Sequence, residues 1–197
     1  MQTWYDQSGS GNDAEQSAAS SQPKIVGEVT SGQPHAFLGA IEFDGSQQFQ
    51  TITLTSSAQP NSMFSVSNTN VAGQNRGIYG TNTQQASYYR SSNEHAIYSS
   101  GTDAAPLKGS AYVVDTDYLR FDLFNGANSV VGVNGTTTSG TTGDEVLNRL
   151  DIGDSILSGA DPLNGGIKEL ILYTDDQSSN RPAIEANIAN QYGITIS

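Results

Sequence analysis

The sequence predicts an all-β protein, an antiparallel β-sandwich closed by one C-terminal helix. Three observations carry this. Short apolar or alternating runs, separated by Gly-, Asn-, Asp- and Ser-rich turns, recur along most of the chain. Only one stretch has a helical period: Ile184, Ile188 and Tyr192 are spaced by four, Pro182 falls in the first turn and Gly193 stops the run. Directly before it, Gly165-Gly166 leads into Ile167-Lys168-Glu169-Leu170-Ile171-Leu172-Tyr173, a nearly continuous apolar run that suits a central strand buried on both faces. Ser178 or Ser179 is the expected helix cap.

Composition bounds the rest. A chain of 197 residues with 35% hydrophobic content supports one substantial core, and residues 1–197 read as one domain. Eight basic residues against 20 acidic give a net charge of −12, which opposes binding to nucleic acid or anionic lipid. No run approaches the roughly 18 apolar residues that span a bilayer, so membrane insertion is not expected. Met1-Gln2-Thr3-Trp4 has neither the basic start nor the apolar region of a signal peptide. The chain is therefore expected to be cytosolic at birth or a piece of something longer. With no cysteine there is no disulfide, thiolate zinc site or cysteine nucleophile.

In chain order, the stretch from Trp4 to Ala14 is a tight loop rich in Gly, Ser, Asn and Asp. Asp6 is placed to accept from backbone N–H groups of its own turn; the functional alternative is a calcium site shared by Asp6, Asn12 and Asp13. Residues 22–30 and 36–43 read as strands, the second ending in the turn Asp44-Gly45. Further strands are expected over 51–56, 62–68, 76–79, 86–90, 95–99, 110–115 and 117–124. In the last, Tyr118, Arg120, Asp122 and Phe124 share one face and Leu119, Phe121 and Leu123 the other, the second set being assigned to the core. Asn125-Gly126 reads as a hairpin turn into 129–133, residues 135–143 as a mobile surface loop, and 147–152 and 155–157 as the last short strands.

Trp4-Tyr5-Asp6-Gln7-Ser8-Gly9-Ser10-Gly11-Asn12-Asp13, followed by Ala40-Ile41-Glu42-Phe43-Asp44-Gly45-Ser46, resembles the paired signature of laminin-G-like, concanavalin A-like lectin/glucanase domains. The closing segment from Ile167 to Tyr173, with Asn180-Arg181 and Ile184-Glu185-Ala186-Asn187-Ile188, resembles the end of such domains in bacteriophage and marine bacterial surface proteins. The resemblance implies a concanavalin A-like jelly roll. In those domains more chain usually precedes the Asp-Gln-Ser-Gly loop, so the expectation here is either that the N-terminal strand lies outside this sequence or that another segment or subunit completes the sheet edge.

Two chemistries suit this class. Related arabinofuranosidase catalytic domains contain a similar Tyr-Asp-Gln-Ser-Gly loop, and glycoside hydrolysis needs two carboxylates facing one sugar. Among the 20 acidic residues, Glu94, Asp115, Asp117 and Asp122 are placed so that a pair could be assembled across the sheet, but none sits in a catalytic motif and all are expected to be solvated surface charges. His35 and His95 are too few for a histidine metal site or triad. Sugar recognition needs less: an exposed aromatic face beside amides and carboxylates, often with calcium. Tyr79, Asn82, Tyr88, Tyr89, Arg90, Asn93 and Glu94 have that composition, and Tyr88 and Tyr89, adjacent on a strand, must face opposite sides. One of them is then a candidate stacking platform, whereas Trp4 is expected to pack.

The expected function is a non-catalytic carbohydrate-recognition or adhesion module of a virion (capsid decoration, fibre or tail) or of a secreted surface protein, without nucleic acid and with homo-oligomerisation open. Its partners would be surface glycans or other virion proteins, with calcium as the one cofactor to consider. The alternatives are a purely structural virion decoration protein and a glycoside hydrolase.

Overall fold

The computed structural model describes residues 1–27, 39–51, 54–81, 85–99, 106–155 and 161–197. The strands are β1 (Thr3–Trp4), β2 (Ala14–Glu15), β3 (Lys24–Val26), β4 (Ala40–Asp44), β5 (Phe49–Thr51), β6 (Asn61–Ser67), β7 (Arg76–Gly80) and β8 (Gln85–Tyr89). They continue with β9 (Glu94–Ser99), β10 (Leu107–Ala111), β11 (Tyr118–Phe124), β12 (Ser129–Val133), β13 (Thr136–Gly140), β14 (Asp151–Ile152) and β15 (Asn164–Tyr173), and α1 (Arg181–Tyr192) follows. Among the described residues they form two antiparallel sheets, of eight strands in the order β1-β2-β5-β14-β7-β8-β9-β10 and of seven in the order β13-β12-β11-β6-β15-β4-β3. The all-β sandwich expected from the turn spacing is the observed architecture.

Two apolar layers hold it together. Between the sheets lie Phe43, Phe49, Met63, Ile78, Tyr79, Tyr89, Ile97, Leu150 and Ile167, with Trp4 packed against them as expected. Trp4 and Phe43 both contact Phe49, at ring-centroid separations of 6.3 Å each, and Phe43 meets it edge-on. The second layer sits on the outer face of the seven-stranded sheet. There Phe64, Val66, Leu119, Phe121 and Leu123 are covered by Ile188 and Ala189 of α1 and by Ile184, Tyr192, Ile194 and Ile196. The helical period therefore marks the face that buries, and Gly193 closes α1 in the left-handed conformation (φ 66°).

β15 is central, paired with β6 on one side and β4 on the other. Gly165 is required there because a Cβ would lie 2.3 Å from the Asn68 carbonyl oxygen. Gly153 is required at the sheet interior: its φ is +84° and a Cβ would meet the Phe43 ring at 2.3 Å.

Several expectations change. Residues 135–143 are not a mobile loop: Asn134 and Gly135, both at positive φ (48° and 88°), turn the chain so that Thr136–Gly140 pairs with β12 in an unbroken register. Asn125-Gly126 does not make a two-residue hairpin; a short 3₁₀ turn, Gly126–Asn128, intervenes. The strand expected over 110–115 ends at Ala111, and 147–152 contributes only Asp151–Ile152 and a bridge at Leu147. Neither Ser178 nor Ser179 caps α1: Asn180 occupies the cap position, without a side-chain bond to the helix. Residues 28–30, 36–38, 52–53 and 156–157 of expected strands lie outside the described residues.

The largest departure is in β11. Leu119, Phe121 and Leu123 do face a core, but it is the layer under α1. Arg120 and Asp122, assigned to solvent by the alternation, point between the sheets and are 0% and 1% exposed.

Candidate functional site

The tyrosines of the expected sugar site are interior. Tyr79, Tyr88 and Tyr89 are all at most 1% exposed, so none offers a stacking face. The reason is that β7 and β8 lie inside the eight-stranded sheet and are packed on both faces. Tyr79 and Tyr89 belong to the layer between the sheets, while Tyr88 packs with Ala86, Ala96 and Tyr98 in a separate cluster. Arg90 and Glu94 are half-buried and Asn93 is exposed at the turn, with φ 62°. The Asn93 side-chain carbonyl accepts from Gly73 N–H at 3.1 Å. Glu94 accepts from Ser92 Oγ at 2.6 Å and pairs with Lys108 at 3.2 Å; the Ser92 bond, then Lys108, holds its carboxyl below the usual range. Asn82 and His35 lie outside the described residues.

The Asp6 loop is a self-contained turn. Asp6 accepts from Ser8 N–H (2.8 Å), Ser8 Oγ (2.9 Å) and Asn12 N–H (3.0 Å), while Asp13 accepts from Asp6 N–H (2.8 Å). Those backbone donors, Asn12 first, lower the Asp6 pKa. Gly9 and Gly11, at φ 83° and 73°, allow the chain to curl round the carboxylate. Both oxygens that would face a calcium ion are turned towards the loop's own N–H groups, and the described residues contain no cluster of three acidic or histidine side chains suited to a metal.

The carboxylates considered for glycosidic chemistry are dispersed. Asp117 binds Lys168 at 2.7 Å and Asn68 Nδ2 at 2.8 Å. Asp122 is the centre of an interior network: it pairs with Arg120 at 2.9 Å and accepts from Tyr79 Oη at 2.9 Å and Ser87 Oγ at 2.6 Å. Arg120 also donates to the carbonyls of Tyr88 (3.2 Å) and Ala96 (3.1 Å), across to the opposite sheet. His95, 0% exposed, is enclosed by the rings of Tyr89, Tyr112 and Tyr118 and has Nδ1 3.5 Å from the Arg120 guanidinium. Burial first, and the Arg120 charge second, push its pKa well below the ordinary imidazole value. Burial and Asp122 push the Tyr79 phenol up. The Asp122 carboxylate, spent on three partners inside the protein, is structural.

Sequence reasoning missed a surface groove of about 510 Å³ where β3, β4 and β15 meet the 69–74 loop. Lys24 and Glu42 are direct partners across β3 and β4, as are Asp44 and Asn164 across β4 and β15. Asn70 is held beside Asn164 by its N–H, which donates to the Asn164 carbonyl at 2.8 Å. Asp44 is committed to the turn, accepting from Ser46 N–H and Oγ at 3.1 and 2.7 Å and from Gln47 Nε2 at 3.0 Å. Among the described residues the side chains of Lys24, Glu42, Asn70 and Asn164 make no hydrogen bond or ion pair, although all four line the groove. A smaller hollow of about 340 Å³, lined by Gln16, Ser46 and Gln48 among others, adjoins it across the Gly45 turn. The available signals were Asp44-Gly45, read as a turn, and Gly165-Gly166, read as a strand start; the groove they frame depends on the β3–β4–β15 pairing.

No known sequence family and no curated protein matches the chain. Solved structures do. A Trypanosoma rangeli sialidase in complex with 2,3-difluoro-KDN superposes with a TM-score of 0.61 at 11% identity, over 90% of this chain and 29% of that one. The binding domain of botulinum neurotoxin DC, in complex with rat synaptotagmin II, gives 0.54 at 10% identity over 95% and 51%. Mouse laminin α1 domains LG4-5 give 0.52 at 11% identity over 70% and 42%. The chain thus spans about half or less of each protein, and the likeness is one of fold, an antiparallel two-sheet β-sandwich. Among the described residues no helix is long and apolar enough to cross a membrane.

Proposed function

We propose that this chain is a non-catalytic recognition module, binding a surface glycan or a protein receptor through one face of the sandwich, as part of a virion or of a secreted surface protein. The observation that carries it is the contrast between the two sets of polar groups. Asp122 and Asp117 are bound to partners within the fold, whereas Lys24 and Asn70, exposed, and Glu42 and Asn164, half-buried, line an open groove without side-chain partners among the described residues. Glycosidic cleavage needs two carboxyl groups facing each other at roughly 5–10 Å across a substrate cleft; in the groove, Asp44 is tied into its turn beside Glu42 on the same strand. The sandwich likeness extends to a toxin binding domain as well as to a sialidase, so the fold is compatible with a binding role.

Structural decoration is the second reading, and β3 favours it: at the end of its sheet, Ile25 and Val26 are 55% and 41% exposed. A glycan array combined with light scattering separates the two. Saturable glycan binding by a monomer supports recognition, while a silent array with a stable higher oligomer removes glycan recognition and favours the structural role.

A further inference from the structure

We infer that the groove between β3, β4 and the 69–74 loop is a metal-independent site for uncharged, vicinally hydroxylated ligands, that is, neutral saccharides; this rests on the recognition reading above. Lys24 and Glu42 stand directly opposite each other on adjacent strands, yet they form no ion pair. An ammonium only donates hydrogen bonds and a carboxylate only accepts them. The group that fits both at once is a hydroxyl, which accepts from Lys24 and donates to Glu42. Two neighbouring hydroxyls on one ring repeat the match, and the amides of Asn70 and Asn164, each donor and acceptor, extend it along the wall.

Charge argues for a neutral ligand. The uncommitted groups contribute one cation and one anion, Asp44 adds a second anion nearby, and the chain carries −12 overall, so an acidic or sulfated sugar meets a repulsive field. The ring-stacking platform common in sugar sites is not used. Phe43, the one aromatic among the described lining residues, is 2% exposed. No calcium is needed either, since Lys24 supplies the positive charge within the groove. The site is separate from the Tyr88–Glu94 hairpin and from the Asp6 loop.

The test uses the full chain on an array of neutral mannose-, glucose- and galactose-based oligosaccharides alongside sialylated and sulfated ones, with and without EDTA. The best neutral binder is then titrated calorimetrically into wild type, Lys24→Ala, Glu42→Gln, Asn164→Ala and, as control, Arg90→Ala. Melting temperatures within a few degrees of wild type, expected for groove side chains without internal partners, establish that each variant is folded. The inference expects neutral binding unchanged by EDTA, at least tenfold weaker in Lys24→Ala and Glu42→Gln, and unchanged in Arg90→Ala. Binding abolished by EDTA, or lost in Arg90→Ala but not in the groove variants, overturns this site while leaving the recognition role standing. An array with no binder overturns this site and the glycan branch of the recognition reading, leaving a protein receptor as its remaining form.

Discussion

Replacing Asp122 by Asn removes one charge and little volume from the place where the two sheets are joined by ions. In the folded chain Arg120 and Asp122 are 0% and 1% exposed and 2.9 Å apart, and Arg120 spans to carbonyls of the other sheet. The substitution leaves the guanidinium without a counter-charge in a medium where burying an unpaired ion is costly. Breaking a buried pair in this way costs about 3–5 kcal/mol. For a chain of this size that lowers the melting temperature by roughly 6–20 °C, a large part of a total stability of about 5–15 kcal/mol. Urea denaturation followed by tyrosine fluorescence reads the change. Asp117→Asn is the comparison: its pair with Lys168 leaves the side chains 29% and 22% exposed, and about 1 kcal/mol or less is expected. Joint replacement of Arg120 by Met and Asp122 by Leu strands no charge, but it leaves Tyr79 Oη, Ser87 Oγ and the carbonyls of Tyr88 and Ala96 buried without these partners, so it should not restore wild-type stability. A cost for Asp122→Asn as small as that for Asp117→Asn would refute the claim that this pair is buried and uncompensated when broken.

Stability should also fall with acid through His95. Its folded pKa lies below the unfolded value of about 6.5, so the unfolded chain takes up the proton first; the stabilisation is complete above about pH 6.5 and falls by up to about 1.4 kcal/mol per unit as pH drops, until the folded imidazole titrates. His95→Gln should flatten the dependence between about pH 6.5 and 5, as followed by urea midpoints across that range. Ile188→Ala opens a cavity between α1 and the seven-stranded sheet and should cost about 2–5 kcal/mol, with protease cleavage appearing first near α1. Gly153→Ala combines a left-handed backbone with a 2.3 Å approach to Phe43, for an expected loss of about 2–5 kcal/mol in thermal unfolding.

The fold was legible because turn residues and apolar runs act locally. β6, β7, β8, β9, β11 and β12 fall within a residue of the ranges that alternation predicts, and Ile184, Ile188 and Tyr192 mark the buried face of α1. Burial was less legible. A strand covered on both faces gives the same alternation as a half-exposed one when its second interior face is polar, and Tyr118, Arg120, Asp122 and Phe124 are such a face. The same ambiguity turns Tyr88 and Tyr89 from platform candidates into interior residues. The groove was not legible because Lys24, Glu42, Asn70 and Asn164 are distant in sequence and are brought together by the pairing of β15 with β4 and of β4 with β3.

The most direct test of ligand recognition at this face is a two-dimensional ¹⁵N NMR titration of the labelled chain with the strongest neutral oligosaccharide from the array. The account predicts dose-dependent shifts confined to Lys24, Glu42, Asn70, Asn164 and the Asp44–Gln47 turn. Shifts centred on Tyr88–Glu94 or on the Asp6–Asp13 loop, with the groove signals unmoved, would contradict it.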